Sequence, residues 1–170
     1  MSPTVSQIRA LLPSLSEELS GPLDDWNYLH VTYEHPHVQR LWRVHGEGRL
    51  LLHVIDPVPE NDVGLWHPHP WTCATLILKG GYEMEASEDD TPSGLNKMYF
   101  GPGSGYEMHD SMTRHVVRPW VETWTVMLTG KLFAEPIPVT RHKRSPGTRT
   151  SASEVRPLVD SWVSLLKGFV

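Results

Sequence analysis

Hydrophobic and polar positions change in short blocks along most of this chain, which is the pattern of β-strands rather than of long helices. The clearest block is the nearly continuous apolar run from Thr72 to Lys79, which predicts a strand that is buried on both faces. The run from Arg49 to Ile55 predicts a second well-defined strand. Turn residues separate the blocks at short and regular intervals, as in a sandwich or a jelly-roll barrel.

Weaker blocks complete the predicted all-β domain. The other predicted strands cover residues 28–33, 41–44, 82–86, 95–100, 106–109, 114–117 and 122–128, and Gly130 is expected to close the last of them. Glycine-rich turns lie between several of these strands, at 45–48, 80–81 and 101–105. We therefore expect one domain over residues 1–170, with a barrel core at about 28–135.

Helical spacing is confined to the two ends of the chain. Apolar residues recur over residues 4–20, and Pro13 predicts an interruption that divides this stretch into two short helices. Ser14 would cap the second helix, with Glu17 completing a capping box. Residues 154–169 predict an amphipathic C-terminal helix, which packs either on the barrel or on a second subunit.

Composition limits the classes of partner and the cellular setting. The formal net charge of −5 provides no positive field for nucleic acid. Cys73 is the only cysteine, so an internal disulfide cannot form, and a lone thiol fits a reducing compartment. Neither a membrane-spanning apolar run nor a signal-peptide layout is evident. We expect a cytoplasmic protein that binds a small-molecule substrate, without nucleic-acid or membrane partners, and that forms a homodimer to cover its sheet edges.

Four of the ten histidines fall in two His-Pro-His triplets, at 35–37 and 67–69, and only the second triplet precedes a strong strand. His67 and His69 are two residues apart, so both would point to one face of an extended strand. Neutral imidazole is a common ligand of transition metals. His115, in a later strand, would be the third ligand, and His109 a fourth ligand or a substitute for His115.

Three imidazoles would leave coordination positions open, as a catalytic metal needs, whereas four protein ligands would close a structural site. The alternative is a barrel in which these histidines hydrogen-bond to one another and to water without a metal. Beside them, His53 is expected to face the cavity, and Arg49 and Arg43 are candidates to hold a substrate carboxylate. Three tryptophans are expected in the core or in the cavity wall: Trp66, Trp71 and Trp124.

The order of these motifs resembles a known family. His67-x-His69, then Gly80, a glycine/proline corner and His115 resemble the two-motif pattern of the cupin superfamily, over roughly residues 49–131. The runs 67–71, 114–116 and 124–130, with the strand that leads into 80–82, are similar to bacterial and phage-borne cupin-like proteins. The resemblance implies a double-stranded β-helix, or jelly-roll barrel, with short terminal helices. It also implies one divalent metal per chain, with Fe(II) favoured over zinc, manganese or nickel.

One departure from the cupin pattern concerns the ligands. Many cupins have a glutamate ligand four or five residues after the second histidine, where this chain has Cys73 and Ala74. The layout resembles that of cupin thiol dioxygenases, which hold ferrous iron with three histidines. Some of these link a cysteine near this position to a tyrosine on a later strand, but residues 123–129 contain no tyrosine. The resemblance therefore implies a non-haem Fe(II) dioxygenase for a small polar metabolite. The alternatives are a zinc- or manganese-dependent isomerase or lyase, and a ligand-binding cupin without enzymatic activity.

Overall fold

The computed structural model describes residues 2–32, 35–60, 62, 64, 66–87, 97–109, 114–132 and 148–169. Its elements, in chain order, are α1 (Val5–Ser20), β1 (Asn27–Val31), β2 (Val38–His45), β3 (Gly48–Ile55), β4 (His67–Pro68), β5 (Trp71–Lys79), β6 (Tyr82–Ser87), β7 (Lys97–Phe100), β8 (Gly105–Met108), β9 (Arg114–Pro119), β10 (Thr123–Leu132), β11 (Thr148–Ser151) and α2 (Arg156–Phe169). One turn of 3-10 helix, Ala152–Val155, leads into α2.

Within this part of the chain, the strands form two antiparallel sheets. The large sheet has the order β11-β1-β2-β3-β10-β5-β8, and the small sheet has the order β4-β9-β6-β7. The chain passes from the small sheet to the large one between β4 and β5, over residues 69–70. The fold is the all-β jelly roll with a helix at each end that the sequence predicted.

Strand β5 of the large sheet is buried on both faces, as its apolar run predicted. Ala74, Leu76 and Leu78 pack with the helices on the outer face. Their neighbours Cys73 and Ile77 belong to two clusters on the inner face, between the sheets. This alternation gives the barrel an interior wall that is separate from the helix-facing core.

Both helices pack over the outer face of the large sheet. Trp162 of α2 is fully buried and contacts Trp124 of β10, with ring centroids 4.8 Å apart. The other buried helical residues in this core are Ile8, Leu12, Leu15, Leu19, Val159 and Leu166. The C-terminal helix therefore packs on the barrel of its own chain, which was one of the two predicted arrangements.

The prediction of two short N-terminal helices was wrong. One continuous helix, α1, contains Pro13, which is exposed to solvent. Thr4 caps it, because its hydroxyl accepts from the amide of Gln7 at 3.2 Å and its own amide donates to the Gln7 side chain at 2.8 Å. The buried stripe at residues 8, 12, 15 and 19 runs past the proline on the same helix face. Packing of that stripe outweighs the lost backbone hydrogen bond at Pro13.

The prediction that Gly130 closes the last barrel strand was also wrong. Gly130 lies inside β10, where a Cβ atom would come within 2.4 Å of the hydroxyl of Thr72. The glycine is needed for this close approach to β5, and the pairing of β10 with β5 shifts register nearby. Strand β11 was not predicted. Residues 95 and 96, which were predicted to begin the strand before Gly101, lie outside the described residues.

Among the described residues, no helix has both the length and the apolar character to span a membrane.

Candidate metal centre

Three histidine side chains converge between the two sheets. His67 in β4 lies directly opposite His115 in β9, and His69 follows β4. The Nε2 atom of His69 is 3.3 Å from Nε2 of His67 and 3.0 Å from Nε2 of His115. Within the described part of the chain, these three form the one group of histidine, cysteine or acidic side chains placed closely enough to share a metal ion.

The segment that crosses between the sheets brings His67 and His69 together. The expectation that both lie on one strand was wrong, because β4 ends at Pro68 and His69 lies in the crossing towards β5. The prolines at 68 and 70 fix the backbone φ angle and disfavour helix at the residues before them. The crossing is therefore extended. Because only one residue separates the two histidines, both imidazoles point towards His115.

Two of the three nitrogen separations match those of neighbouring ligands on one metal ion. A metal–nitrogen bond of ~2.0–2.1 Å implies ligand nitrogens about 3.0 Å apart at a right angle and about 3.4 Å apart at the tetrahedral angle. The separations from His69 to the other two histidines are 3.0 and 3.3 Å, and all three ligand atoms lie within 4.8 Å of one another. The three donors could therefore share one metal ion, and three protein ligands would leave coordination positions open.

Burial keeps His69 and His115 in the neutral form, which is the form that binds metals. Burial, followed by electrostatic interactions with His67 and Arg40, lowers the pKa of His69 to about 3. Burial and the two neighbouring histidines hold the pKa of His115 well below its usual value. His69 and His115 are 7% and 3% exposed, whereas His67 is only half-buried. His69 and His115 are therefore neutral near pH 7, and the cluster is most accessible at His67.

Sulfur atoms lie behind two of the three rings. His69 Nδ1 is 3.3 Å from the Sγ atom of Cys73, and His115 Nδ1 is 3.3 Å from the Sδ atom of Met84. Cys73 is completely buried, and burial raises its pKa to about 12. Without a metal, Cys73 is therefore a neutral thiol, and it lies beside His69 outside the group of three donors.

His53 faces the interior beside the cluster, as predicted, and holds an arginine. Arg40 Nε donates to His53 Nε2 at 2.8 Å, so the proton of His53 is on Nδ1, 3.5 Å from the hydroxyl of Thr125. Burial, followed by the charge of Arg40 and the potential of His69, keeps the pKa of His53 well below its usual value. The neutral ring can therefore accept from the guanidinium, whose charge also acts on His69.

Tyr106 also faces this interior, and like Arg40 it was not predicted from the sequence. Its ring centroid is 6.5 Å from that of His115, and its hydroxyl accepts from Tyr82 at 3.1 Å. Burial raises the pKa of Tyr106 to about 12, so its phenol keeps its proton. Alternation within the predicted strand at 106–109 could have pointed to Tyr106. Arg40, by contrast, lay one residue before the predicted strand at 41–44.

His109 lies outside the cluster. Tyr106 and Met108 pair opposite Thr75 and Cys73 and face the interior, so the residues between and after them face outwards. His109 Nε2 is 3.4 Å from a carboxylate oxygen of Glu107, and its side chain is 58% exposed. The structure therefore does not bring this predicted ligand to the three histidines.

The two arginines that were predicted to hold a substrate carboxylate have other contacts. Arg43 forms an ion pair with Glu18 of α1 and lies over Trp26, on the helix side of the sheet. Arg49 is exposed and stacks on Trp42, with its guanidinium carbon 4.7 Å from the ring centroid. Both were chosen by strand position, which does not reveal that Arg40 is the arginine paired with His53.

Two of the three predicted tryptophans, Trp124 and Trp71, lie in the core and beside the histidines, as expected. Trp124 is in the helix-facing core, while the ring of Trp71 lies against His69, with centroids 6.0 Å apart. Trp66, which precedes β4, is partly buried.

The strand order, the terminal helices and the interior histidines define a cupin-type double-stranded β-helix with a group that could hold a metal. Its solved neighbours include Fe(II)-HppE with the alternative substrate (S)-1-HPP, with a TM-score of 0.52 and 10% identity over 65% of this chain and 58% of that one. Hydroxypropylphosphonic acid epoxidase from S. wedmorenis in complex with fosfomycin aligns with a TM-score of 0.50 and 11% identity, over the same shares.

KdgF from Halomonas sp. aligns more loosely, with a TM-score of 0.43 and 16% identity over 59% of this chain and 85% of that one. The chain thus spans under two thirds of the length of the first two neighbours, and at these identities the likeness concerns the fold. No protein-family model matches the sequence. No curated protein matches it either.

Proposed function

We propose that this protein is a metal-dependent cupin that acts as a non-haem Fe(II) dioxygenase on a small polar metabolite. The observation that carries the proposal is the convergence of three imidazoles, from His67, His69 and His115, whose ligand atoms lie within 4.8 Å of one another. When bound, Fe(II) would supply the activation of dioxygen and open positions for the substrate. The half-buried His67 marks the side from which small molecules would reach the site.

The position and charge of Arg40 favour a substrate that carries a carboxylate or a similar anionic group. Its guanidinium is oriented by the bond from Nε to His53, and its charge is felt at His69, a proposed ligand. A planar guanidinium suits the two oxygens of a carboxylate. Arg40 would thus bind and orient the substrate anion, while His53 and Thr125 hold the arginine in place.

The ligand set also supports a second candidate, a zinc- or manganese-dependent isomerase or lyase. No carboxylate is present among the three converging donors. Non-haem iron oxygenases often have two histidines and one carboxylate, whereas three histidines also occur in catalytic zinc sites. In that reaction, the metal would polarise a substrate carbonyl.

Oxygen consumption by the reconstituted protein separates these functions. The metal-free protein would be loaded anaerobically with Fe(II), Zn(II) or Mn(II), and then mixed with small carboxylates that carry a neighbouring thiol, hydroxyl or amine. The dioxygenase proposal predicts substrate-dependent oxygen uptake with Fe(II) only, which His115→Ala abolishes. Arg40→Met is expected to raise KM by at least about tenfold while leaving iron content unchanged, since the lost interaction is a charge-assisted hydrogen bond. Arg49→Met, which removes an exposed arginine, is the matched control.

Other outcomes would overturn the dioxygenase proposal. Turnover without oxygen in the zinc or manganese form would favour the isomerase or lyase. Ligand-dependent thermal stabilisation, with no turnover in any metal form, would indicate a binding protein. The cytoplasmic setting and the homodimer stay predictions, and light scattering coupled to size-exclusion chromatography tests the second.

A further inference from the structure

We infer that Cys73 and Met84 are positioning residues whose sulfur atoms orient His69 and His115 and thereby set the metal affinity of the cluster. This inference rests on the metal-binding part of the proposed function. Each of the two histidines presents Nε2 to the cluster and Nδ1 to a sulfur atom 3.3 Å away. Metal-bound histidines generally donate their second N–H to a carboxylate, a backbone carbonyl or water, so two sulfur partners at one site are unusual.

The contact with Met84 determines which nitrogen of His115 carries the proton. A thioether sulfur accepts a weak hydrogen bond but has no hydrogen to donate. The proton of neutral His115 must therefore be on Nδ1 for this contact to be a hydrogen bond. The lone pair of Nε2 then points to His69 Nε2, 3.0 Å away, as a metal ligand requires.

Strand pairing and burial hold Met84 in this position. Ala86 of β6 is paired opposite His115 of β9, and Met84 is opposite Val117, so Met84 and His115 lie on the same face of the small sheet. The Met84 side chain is 3% exposed and packs with Ile55, Ile77 and Tyr82. Its sulfur is thus fixed by the core rather than by solvent-exposed contacts.

Cys73 does the same for His69 from the opposite sheet. It lies near the start of β5, only four residues after His69, and its side chain is in the interior cluster with Leu51, Met108 and Met127. A thiol can accept or donate, but a metal ligated through Nε2 of His69 leaves the proton on Nδ1 and the sulfur as acceptor. One sulfur from each sheet therefore supports one histidine.

The acceptor at Nδ1 affects how strongly each imidazole donates to the metal, so an oxygen in place of sulfur would change the metal affinity. Sulfur is a weaker acceptor than oxygen, so it withdraws the Nδ1 proton less and makes the imidazole a poorer donor to the metal. The affinity of the cluster should therefore depend on what stands at position 84, even when the volume of the core is unchanged. A role in packing alone predicts no such dependence.

A pair of substitutions at Met84 separates these two roles. Met84→Leu fills the core but removes the acceptor, and Met84→Gln supplies a carbonyl oxygen of similar reach. Titration with Co(II), followed by its visible absorption, should show about tenfold weaker binding in Met84→Leu and near wild-type or tighter binding in Met84→Gln. A packing role predicts the reverse order, since leucine suits an apolar site better than glutamine. Met127→Leu, at a buried methionine of the interior cluster, is the control and should bind Co(II) as wild type does.

Long-range ¹H–¹⁵N spectra of the metal-free protein test the orientation without a metal. We expect His115 to show the Nδ1–H tautomer in the wild type and a mixture of tautomers in Met84→Leu. Cys73→Ala and Cys73→Ser give the same comparison of Co(II) affinity at His69 if a Met84 variant fails to fold. An Nε2–H tautomer at His115 in the wild type, or equal Co(II) affinity in Met84→Leu and Met84→Gln, would overturn the inference. Failure of the wild type to bind Co(II), with the expected tautomers present, would instead contradict the proposed metal site.

Discussion

His67 lies directly opposite His115 in the antiparallel pairing of β4 with β9, and their ring centroids are 4.8 Å apart. Strand β4 is only two residues long, so this pairing is among the few contacts that fix its position. The same register that joins the strands therefore aligns two of the three imidazoles. His69 completes the group from the crossing between the sheets, which links the metal site to the topology of the barrel.

The metal-free protein should become less stable as the pH falls. Burial is the main cause that lowers the pKa values of His53, His69 and His115 in the folded state, against about 6.5 in the unfolded chain. Above pH ~6.5 both states are neutral, so this contribution to stability is complete. Below pH ~6.5 the unfolded chain takes up protons that the folded chain cannot, so this contribution to stability is lost. For His69 the loss of stability continues down to a pH of about 3.

Urea unfolding of the metal-free protein at several pH values measures this dependence. We expect the free energy of unfolding to fall by up to about 1.4 kcal/mol per pH unit and per histidine below pH ~6. His109→Ala, which removes an exposed imidazole, should show the same fall. Stability that is constant or rises between pH 7 and pH 5 would contradict the burial of neutral histidines.

Cys73 should resist alkylation in the folded protein. Its side chain is 0% exposed, and burial raises its pKa to about 12, so little reactive thiolate is present at pH 8. We expect no reaction with a disulfide reagent such as DTNB within minutes in native buffer and one thiol per chain in guanidinium chloride. Rapid labelling of the native protein would show that the region around β5 opens readily.

Gly80 should be difficult to replace. Its φ angle is +77°, and a Cβ atom there would come within 2.4 Å of the carbonyl oxygen of Glu122. Gly80→Ala is therefore expected to lower the free energy of unfolding by about 1–3 kcal/mol or more. Gly101→Ala is the matched control, because its Cβ would meet nothing within 4 Å, and it should change stability by less than about 0.5 kcal/mol. Equal effects of the two variants in urea unfolding would contradict the tight turn between β5 and β6.

Pro13→Ala should stabilise the protein. Pro13 is exposed inside α1, where it lacks the amide that would donate to the preceding turn. Restoring that hydrogen bond, less the greater freedom of alanine in the unfolded chain, should add about 1–2 kcal/mol to the free energy of unfolding. Ser14→Ala, at the exposed neighbouring position, should change it by less than about 0.5 kcal/mol. A Pro13→Ala variant no more stable than wild type would indicate that α1 is broken at residue 13.

Local patterns in the sequence predict the barrel strands well, because each strand is short and its buried face is recorded in its own residues. The apolar run 72–79 predicted that β5 is buried on both faces. The alternation over 49–55 predicted an inward orientation for His53, which is buried in the structure. The continuity of α1 could not be predicted in this way. It depends on packing of Ile8, Leu12, Leu15 and Leu19 against residues far along the chain, which a local rule about proline does not include.

The candidate site was predictable only where its residues are close together in sequence. The His-Pro-His triplet marked His67 and His69, and strand order suggested His115. Arg40 and Met84 could not be assigned, because their contacts with His53 and His115 arise from the register between strands. His109 was misplaced for the same reason, since its orientation depends on which residues of β8 pair opposite β5.

Metal content per chain is the most direct test of a metal centre formed by the three histidines. Wild type, His67→Ala, His69→Ala, His115→Ala and His109→Ala, all without a histidine tag, would be dialysed against Fe(II) anaerobically or against Co(II), and then analysed for bound metal. We expect about one ion per chain in wild type and in His109→Ala, and a large loss in each of the other three variants. No bound metal in a folded wild type, or full occupancy in the three cluster variants, would contradict a metal centre formed by His67, His69 and His115.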